Sequence, residues 1–77
     1  MTPQQLVDHL DKHGIQRKNF AENLGVSEAA ISFWLKQGWI TYERQSHIQL
    51  ELRGKLRASW DDVPEERRPV SHKERAA

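Results

Sequence analysis

The sequence predicts a small all-α domain of five short helices arranged around a central helix-turn-helix. Three observations support this. Apolar residues recur at spacings of three and four, capping residues and glycines separate these segments, and a chain of 77 residues is long enough for one domain.

The first predicted helix begins close to the N-terminus. Thr2 is a suitable N-cap, Pro3 fits the first helical position, and Gln5 stands where the partner in a capping box stands. Gly14 is expected to end the helix. The apolar face is formed by Leu6, Val7 and Leu10.

The second and third helices are predicted on either side of one glycine. The second runs from about Arg17 to Leu24 and ends at Gly25. The third is capped by Ser27 and runs to about Gln37. The residues expected to face inward are Phe20, Ala21, Leu24, Ala30, Ile31, Trp34 and Leu35.

The segment 42–58 admits two interpretations. Thr41 can cap a fourth helix to about Leu52, and this segment is rich in Glu, Gln, Arg and Leu, which propagate helices well. However, Ile48 and Leu50 alternate with polar residues, so "IQLELRGKLRASW" also fits a β-hairpin that turns at Arg-Gly. This alternative makes the fold α+β. We favour the helix because β-branched residues are few.

The last predicted element is a short fifth turn. Ser59 is its expected cap, with Asp62 as the reciprocal partner. The residues 67–77, "RRPVSHKERAA", have almost nothing to bury, so we expect a disordered tail after a domain of residues 1–66.

Composition excludes several classes of protein. The absence of cysteine excludes disulfides and Cys-based zinc sites, and it suits a cytoplasmic location. "MTPQQLVDHL" lacks the features of a signal peptide, and no apolar run approaches the ~20 residues of a membrane span. We therefore expect no membrane partner.

No arrangement of residues points to an enzyme, a cofactor or a small-molecule substrate. A nucleophile paired with a base is not apparent, and neither is a glycine loop for phosphate. His9 and His13 are four residues apart and can share a metal ion, but no third ligand accompanies them. We expect a surface pair of histidines.

The link between the second and third helices is short enough to force a steep crossing, as in a helix-turn-helix. Ala21 must be small where the third helix passes over it. Gly25 adopts a left-handed conformation without steric cost. Ile31 fills the angle between the helices. These three positions form the expected scaffold.

The small, polar start of the third helix is expected to enter a DNA major groove. Glu28 can accept a hydrogen bond from cytosine, Ala29 can contact a thymine methyl group, and Ser32 can reach either base edge. Phe33 is an outward-facing aromatic residue that suits a thymine methyl group or the sugar backbone. The expected phosphate contacts are Arg17, Lys18, Ser27 and Lys36.

Two of these side chains have a simpler alternative. Phe33 also suits a packing or subunit contact, and Glu28 also stabilises a helix start through the dipole alone. Arg44, on the predicted fourth helix, suits either a phosphate contact or an internal salt-bridge or packing role equally well.

The segment "LGVSEAAISFWLKQGWI" resembles the Leu-Gly-Val-Ser-x-Ala-Ala-Val-Ser-x-Trp pattern of the Cro-type repressors of temperate bacteriophages, within the Cro/repressor helix-turn-helix class. The similarity continues through "ERQSHIQLELRGKLRASWDDVP" and covers roughly residues 6–64. It implies a lambda-repressor-like fold and a homodimer, weak without DNA, that represses transcription at a pseudo-palindromic double-stranded operator.

The resemblance also implies roles for single residues. Phe33 occupies a position usually held by Gln or Lys, so the half-site sequence of a relative does not transfer to this chain. The positions that match base contacts are Glu28, Ala29, Ser32 and Phe33. The positions that match backbone contacts are Arg17, Ser27 and Lys36.

An alternative function is a helix-turn-helix used mainly for protein contact, as in antitoxin-like or architectural modules. Trp39, Ile40 and Trp60 are hydrophobic residues that suit such a partner. They suit a dimer interface equally well, so both uses stay open at this point.

Overall fold

Helices account for the regular secondary structure of residues 1–70, the part of the chain that the computed structural model describes. Four α-helices are followed by two single-turn 3-10 helices, and these residues form no strand. The predicted all-α class is confirmed, although the predicted fifth helix is a 3-10 turn and a second one follows it. The helices are α1 (Pro3–Lys12), α2 (Arg17–Leu24), α3 (Glu28–Gln37), α4 (Tyr42–Glu51) and the 3-10 turns Trp60–Asp62 and Glu65–Arg67.

Local capping fixes the start of α1, as predicted. The backbone N–H of Gln5 donates to Thr2 Oγ1 at 3.1 Å, and the backbone N–H of Thr2 donates to Gln5 Oε1 at 2.9 Å. This reciprocal pair satisfies two backbone donors, and Pro3 has no N–H that needs a partner.

The β-hairpin alternative for residues 42–58 is wrong. The Arg53-Gly54 pair does reverse the chain, with φ of 53° and 80°, but it does so at the end of α4. The Gly54 N–H donates to Gln49 O at 2.9 Å, and the Arg53 N–H donates to Leu50 O at 3.1 Å. These bonds satisfy the last carbonyls of a helix, so Arg-Gly serves here as a helix terminator.

One hydrophobic core joins the four α-helices. Helix α2 packs against α3 and α4, and α1 packs against α3. Ile40, in the link between α3 and α4, is completely buried, so the prediction that it contacts a partner is wrong. The buried cluster consists of Met1, Leu6, Val7, Leu10, Phe20, Ala21, Leu24, Ile31, Trp34, Ile40, Ile48 and Leu52.

Gln45 is a fully buried polar residue at the centre of this packing. Its Oε1 accepts hydrogen bonds from the Met1 ammonium at 2.7 Å and from the Ser59 N–H at 2.9 Å. Its Nε2 donates to Ile40 O at 2.9 Å. One side chain therefore joins the N-terminus, the α3–α4 link and the segment before the first 3-10 turn.

The Met1 ammonium also has two further partners. It donates to Arg57 O at 2.8 Å and lies 3.0 Å from Asp62 Oδ2. Asp62 was expected to close a capping box with Ser59, but it pairs with the ammonium instead. The Ser59 hydroxyl accepts from the Asp61 N–H at 3.1 Å, so the cap itself is present.

The predicted tail begins at residue 67, and the structure shows that residues 67 and 68 still contact the domain. Arg68 Nε donates to Val63 O at 2.7 Å, and Arg68 Nη2 donates to Asp61 O at 3.3 Å. The Arg67 guanidinium lies 6.0 Å from the centre of the Trp39 ring. The rest of the predicted tail, residues 71–77, lies outside the described residues.

We expect Gln45→Leu to lower the free energy of unfolding by about 2–4 kcal/mol, because it leaves several buried polar groups without a partner. Urea denaturation followed by circular dichroism measures the loss. Gln4→Leu is the matched control, since Gln4 is exposed, and its effect should stay within about 0.5 kcal/mol. Equal losses for the two variants contradict the central role of Gln45.

We also expect acetylation of the Met1 amino group to destabilise the 77-residue chain by about 3 kcal/mol, because it removes a buried charge that has three partners. Thermal unfolding of synthetic chains with and without the acetyl group measures this. Acetylated and unmodified chains with the same melting temperature contradict the prediction.

Candidate functional site

The turn between α2 and α3 consists of only three residues, Gly25, Val26 and Ser27. The Gly25 N–H donates to Glu22 O at 3.1 Å, and the Val26 N–H donates to Ala21 O at 2.9 Å. Gly25 has φ of 83°, while a Cβ added there meets nothing within 4 Å. The backbone conformation, rather than lack of space, therefore calls for glycine at this position.

Of the three predicted scaffold residues, Ala21 and Ile31 are buried, and Gly25 lies in the turn between the two helices. Ala21 and Ile31 are each 1% exposed. Ala21 belongs to α2 and Ile31 to α3, and both are part of the buried cluster where these helices pack. A short turn and a small buried residue together hold α3 in a fixed position relative to α2.

The opposite face of α3 is covered by nothing else in residues 1–70. Phe33 is 59% exposed, whereas its neighbour Trp34 is 7% exposed and part of the core. The exposed residues recur at spacings of three and four, so they share one side of the helix. They are Glu28, Ala29, Ser32, Phe33 and Lys36, and they include all four predicted base-reading residues.

The starts of α2 and α3 differ from those of α1 and α4. Ser27 occupies the predicted N-cap position of α3, but within residues 1–70 its side chain makes no hydrogen bond to the helix. Gln16, the N-cap of α2, also lacks such a bond, and its Oε1 accepts from Asn19 Nδ2 at 3.2 Å instead. The first-turn N–H groups of both helices therefore lack the side-chain acceptors that Thr2 and Thr41 provide elsewhere.

Three cations predicted to contact phosphate belong to these two helices. Lys18 and Lys36 are exposed, and Arg17 is half-buried. The Met1–Asp62 pair is the one ion pair within residues 1–70, so none of the three is neutralised by a carboxylate there.

Arg44 forms no internal salt bridge within the described residues, so the salt-bridge part of that interpretation is wrong, while the packing part stays a prediction. It is half-buried, and its Nη1 lies 3.3 Å from His47 Nδ1. The phosphate alternative for Arg44 stays a prediction.

A group of aromatic residues lies around the start of α4. Trp60 stacks on Tyr42, with ring centroids 4.2 Å apart and an angle of 3° between the planes. With Trp39 and Val63 they line a cleft of about 330 Å³. The sequence identified Trp39 and Trp60 but not Tyr42, whose position at the start of α4 gave no signal.

The histidine pair of α1 is close in space as well as in sequence. The rings of His9 and His13 have centroids 4.4 Å apart and planes tilted by 47°. Residues 1–70 contain no group of three or more side chains suited to hold a metal ion.

Comparisons with protein-family models, curated protein sequences and solved structures found no match to this chain. Within residues 1–70, no helix is both long enough and apolar enough to cross a membrane.

We expect Phe33→Gln to leave the free energy of unfolding within about 0.5 kcal/mol of its original value, because the side chain is mostly exposed. The adjacent Trp34→Ala should cost about 3–5 kcal/mol, because it opens a cavity in the core. Urea denaturation compares the two variants. A large loss for Phe33→Gln means that this residue is structural rather than part of a functional surface.

Proposed function

We propose that the chain is a sequence-specific, double-stranded DNA-binding transcriptional repressor of the Cro type, a helix-turn-helix protein that reads the major groove with α3. The observation that carries the proposal is the uncovered face of α3, with an exposed phenylalanine, directly after a three-residue turn. A major groove about 12 Å wide admits one helix, and readers of this kind place the start of that helix against the base edges.

The side chains on this face suit base reading. Glu28 accepts from a cytosine amino group, and Ser32, one turn later, reaches a base edge as donor or acceptor. Ala29 keeps the surface narrow and contacts a thymine methyl group. Phe33 adds a large apolar contact to another methyl group or to the sugar backbone. Phe33 is 59% exposed, so its ring is available as apolar contact area on this face.

The surrounding groups suit phosphate binding. Arg17 and Lys18 begin α2, while Ser27 and Lys36 flank the reading face of α3. A helix start with N–H groups that lack side-chain acceptors attracts anions, because the partial positive charge of the helix dipole adds to the N–H donors. These contacts position the protein on the duplex, whereas the base contacts select the sequence.

Repressors of this geometry bind as dimers to two half-sites about 34 Å apart, so the target is a pseudo-palindromic operator. We propose a homodimer that is weak without DNA and that acts in the bacterial cytoplasm, at the nucleoid when bound. Selected DNA sequences that contain an inverted repeat with a fixed spacing indicate a dimer, because two identical subunits read inverted copies of one half-site.

A protein-contact module is the second candidate function. The cleft of Trp39, Tyr42 and Trp60 favours it, because half-buried aromatic residues often anchor partners. Salt dependence separates the two functions. DNA binding weakens steeply as salt rises, because each neutralised phosphate releases counterions, while an aromatic protein contact responds little.

We expect two substitutions on α3 to have different effects on DNA binding. Ser32→Ala should change the preference at one base pair by about 1–3 kcal/mol, because it removes a base contact. Lys36→Ala should weaken binding similarly on all sequences and reduce the slope of log K against log salt by about 1. In-vitro selection of duplex sites, followed by salt titrations, measures both.

The matched controls are Ser46→Ala, which lies on α4, and Lys12→Ala, which lies on α1. Both should leave the selected sequence and the salt slope unchanged. A selected-site profile that changes with Lys36→Ala but not with Ser32→Ala reverses the assigned roles. The absence of any enriched inverted repeat rules out the repressor function.

A further inference from the structure

A shallow groove of about 460 Å³ lies between α1 and the segment 55–57. Its walls include Lys12 from α1 and the exposed pair Lys55 and Arg57. The groove brings together residues that are more than forty positions apart in the sequence. None of these residues belongs to the α3 face or to the turn before it.

The carboxylates of this groove are already engaged. Asp62 Oδ2 lies 3.0 Å from the Met1 ammonium, so their charges offset each other. Asp8 Oδ1 accepts from Gln4 Nε2 at 2.8 Å.

The three cations, by contrast, have no ion-pair partner within residues 1–70. Lys12, Lys55 and Arg57 therefore leave the groove with an excess of positive charge that Asp8 alone opposes.

The lowered pKa of His9, which also lines the groove, agrees with this excess of positive charge. Burial of the imidazole lowers the pKa of His9 below its ordinary value of 6.5, and the positive charges of His13, Lys55 and Lys12 lower it further. Two of these three charges are the lysines of the groove. An anion bound between these lysines raises the pKa of His9 instead, because its negative charge favours the protonated imidazole.

We propose that this groove binds a small polyphosphate anion through Lys12, Lys55 and Arg57. Several separate cations match a ligand that carries several charges, and an arginine adds a planar pair of donors for phosphate oxygens. The volume lies within the range of small-ligand sites, and half-buried Leu56 gives the groove an apolar surface. The site goes beyond the proposed DNA reading, because it uses α1 and the end of α4 instead of α3.

Inorganic triphosphate is the probe, titrated into the full chain at constant ionic strength. The imidazole signals of His9 are followed by NMR at several pH values. We expect saturable binding that raises the pKa of His9, since the bound charge offsets Lys12 and Lys55. His47 lies on α4 outside the groove, so its signals serve as the internal reference.

Lys12→Gln and Lys55→Gln should each weaken triphosphate binding roughly fivefold, because each removes one charge-assisted contact. Both residues are exposed, so the variants are expected to keep the fold, and thermal unfolding checks this. Arg53→Gln is the matched control, because Arg53 is an exposed cation outside both the groove and the proposed DNA-reading surface. It should leave the affinity unchanged.

Two results overturn the proposal. One is an equal loss of triphosphate binding with Arg53→Gln, or an equal His9 response to sodium chloride at matched ionic strength, since either means general screening. The other is a loss of duplex binding with Lys12→Gln and Lys55→Gln as large as with Lys36→Ala, since the groove is then part of a DNA contact. The first result leaves the repressor proposal intact.

Discussion

The buried contact between the Gln45 side chain and the Met1 ammonium is the constraint on which the rest of the fold depends. A buried charge is costly unless its hydrogen bonds are complete, and here the ammonium reaches Gln45 Oε1, Arg57 O and Asp62 Oδ2. The same glutamine satisfies the Ser59 N–H and the Ile40 carbonyl. A chain of 77 residues has little apolar surface to bury, so this polar network fixes segments that the core alone holds weakly.

Because the core and the turn before it hold α3 in place, one face of this helix can stay exposed. Ile31 and Trp34 are buried in the core, and the turn at Gly25 holds α3 against α2 through Ala21. The core-facing side of α3 and its N-terminal end are both held in place, so the outer side of the helix needs no packing. Phe33 can then stay exposed without loss of stability.

Local signals in the sequence predicted most of the fold, because caps and glycines act within a few residues. The α1 capping box and the bounds of α2 and α3 follow from such signals, and the exposed face of α3 follows from its periodicity. Contacts between distant residues were not predictable in this way. Gln45 bonds to a group 44 positions away, and the groove cations meet only where the segment 55–57 lies beside α1. The predicted partner contact of Ile40 was wrong for the same reason. A hydrophobic residue beside Trp39 suggests a surface contact, and only long-range packing shows that Ile40 is buried.

The residues that hold the fold and the residues proposed to read DNA form separate sets. Glu28, Ala29, Ser32 and Phe33 make no side-chain hydrogen bond or ion pair within residues 1–70, and none belongs to the buried cluster. Substitutions at these positions therefore leave the core and its hydrogen bonds intact, so on the proposed function a new target sequence carries little penalty in folding. A small domain with marginal stability gains from this separation, because a change on the proposed reading face does not require a new core. The net charge of +1 is compatible with the proposed phosphate contacts, which depend on where the cations lie and not on their excess.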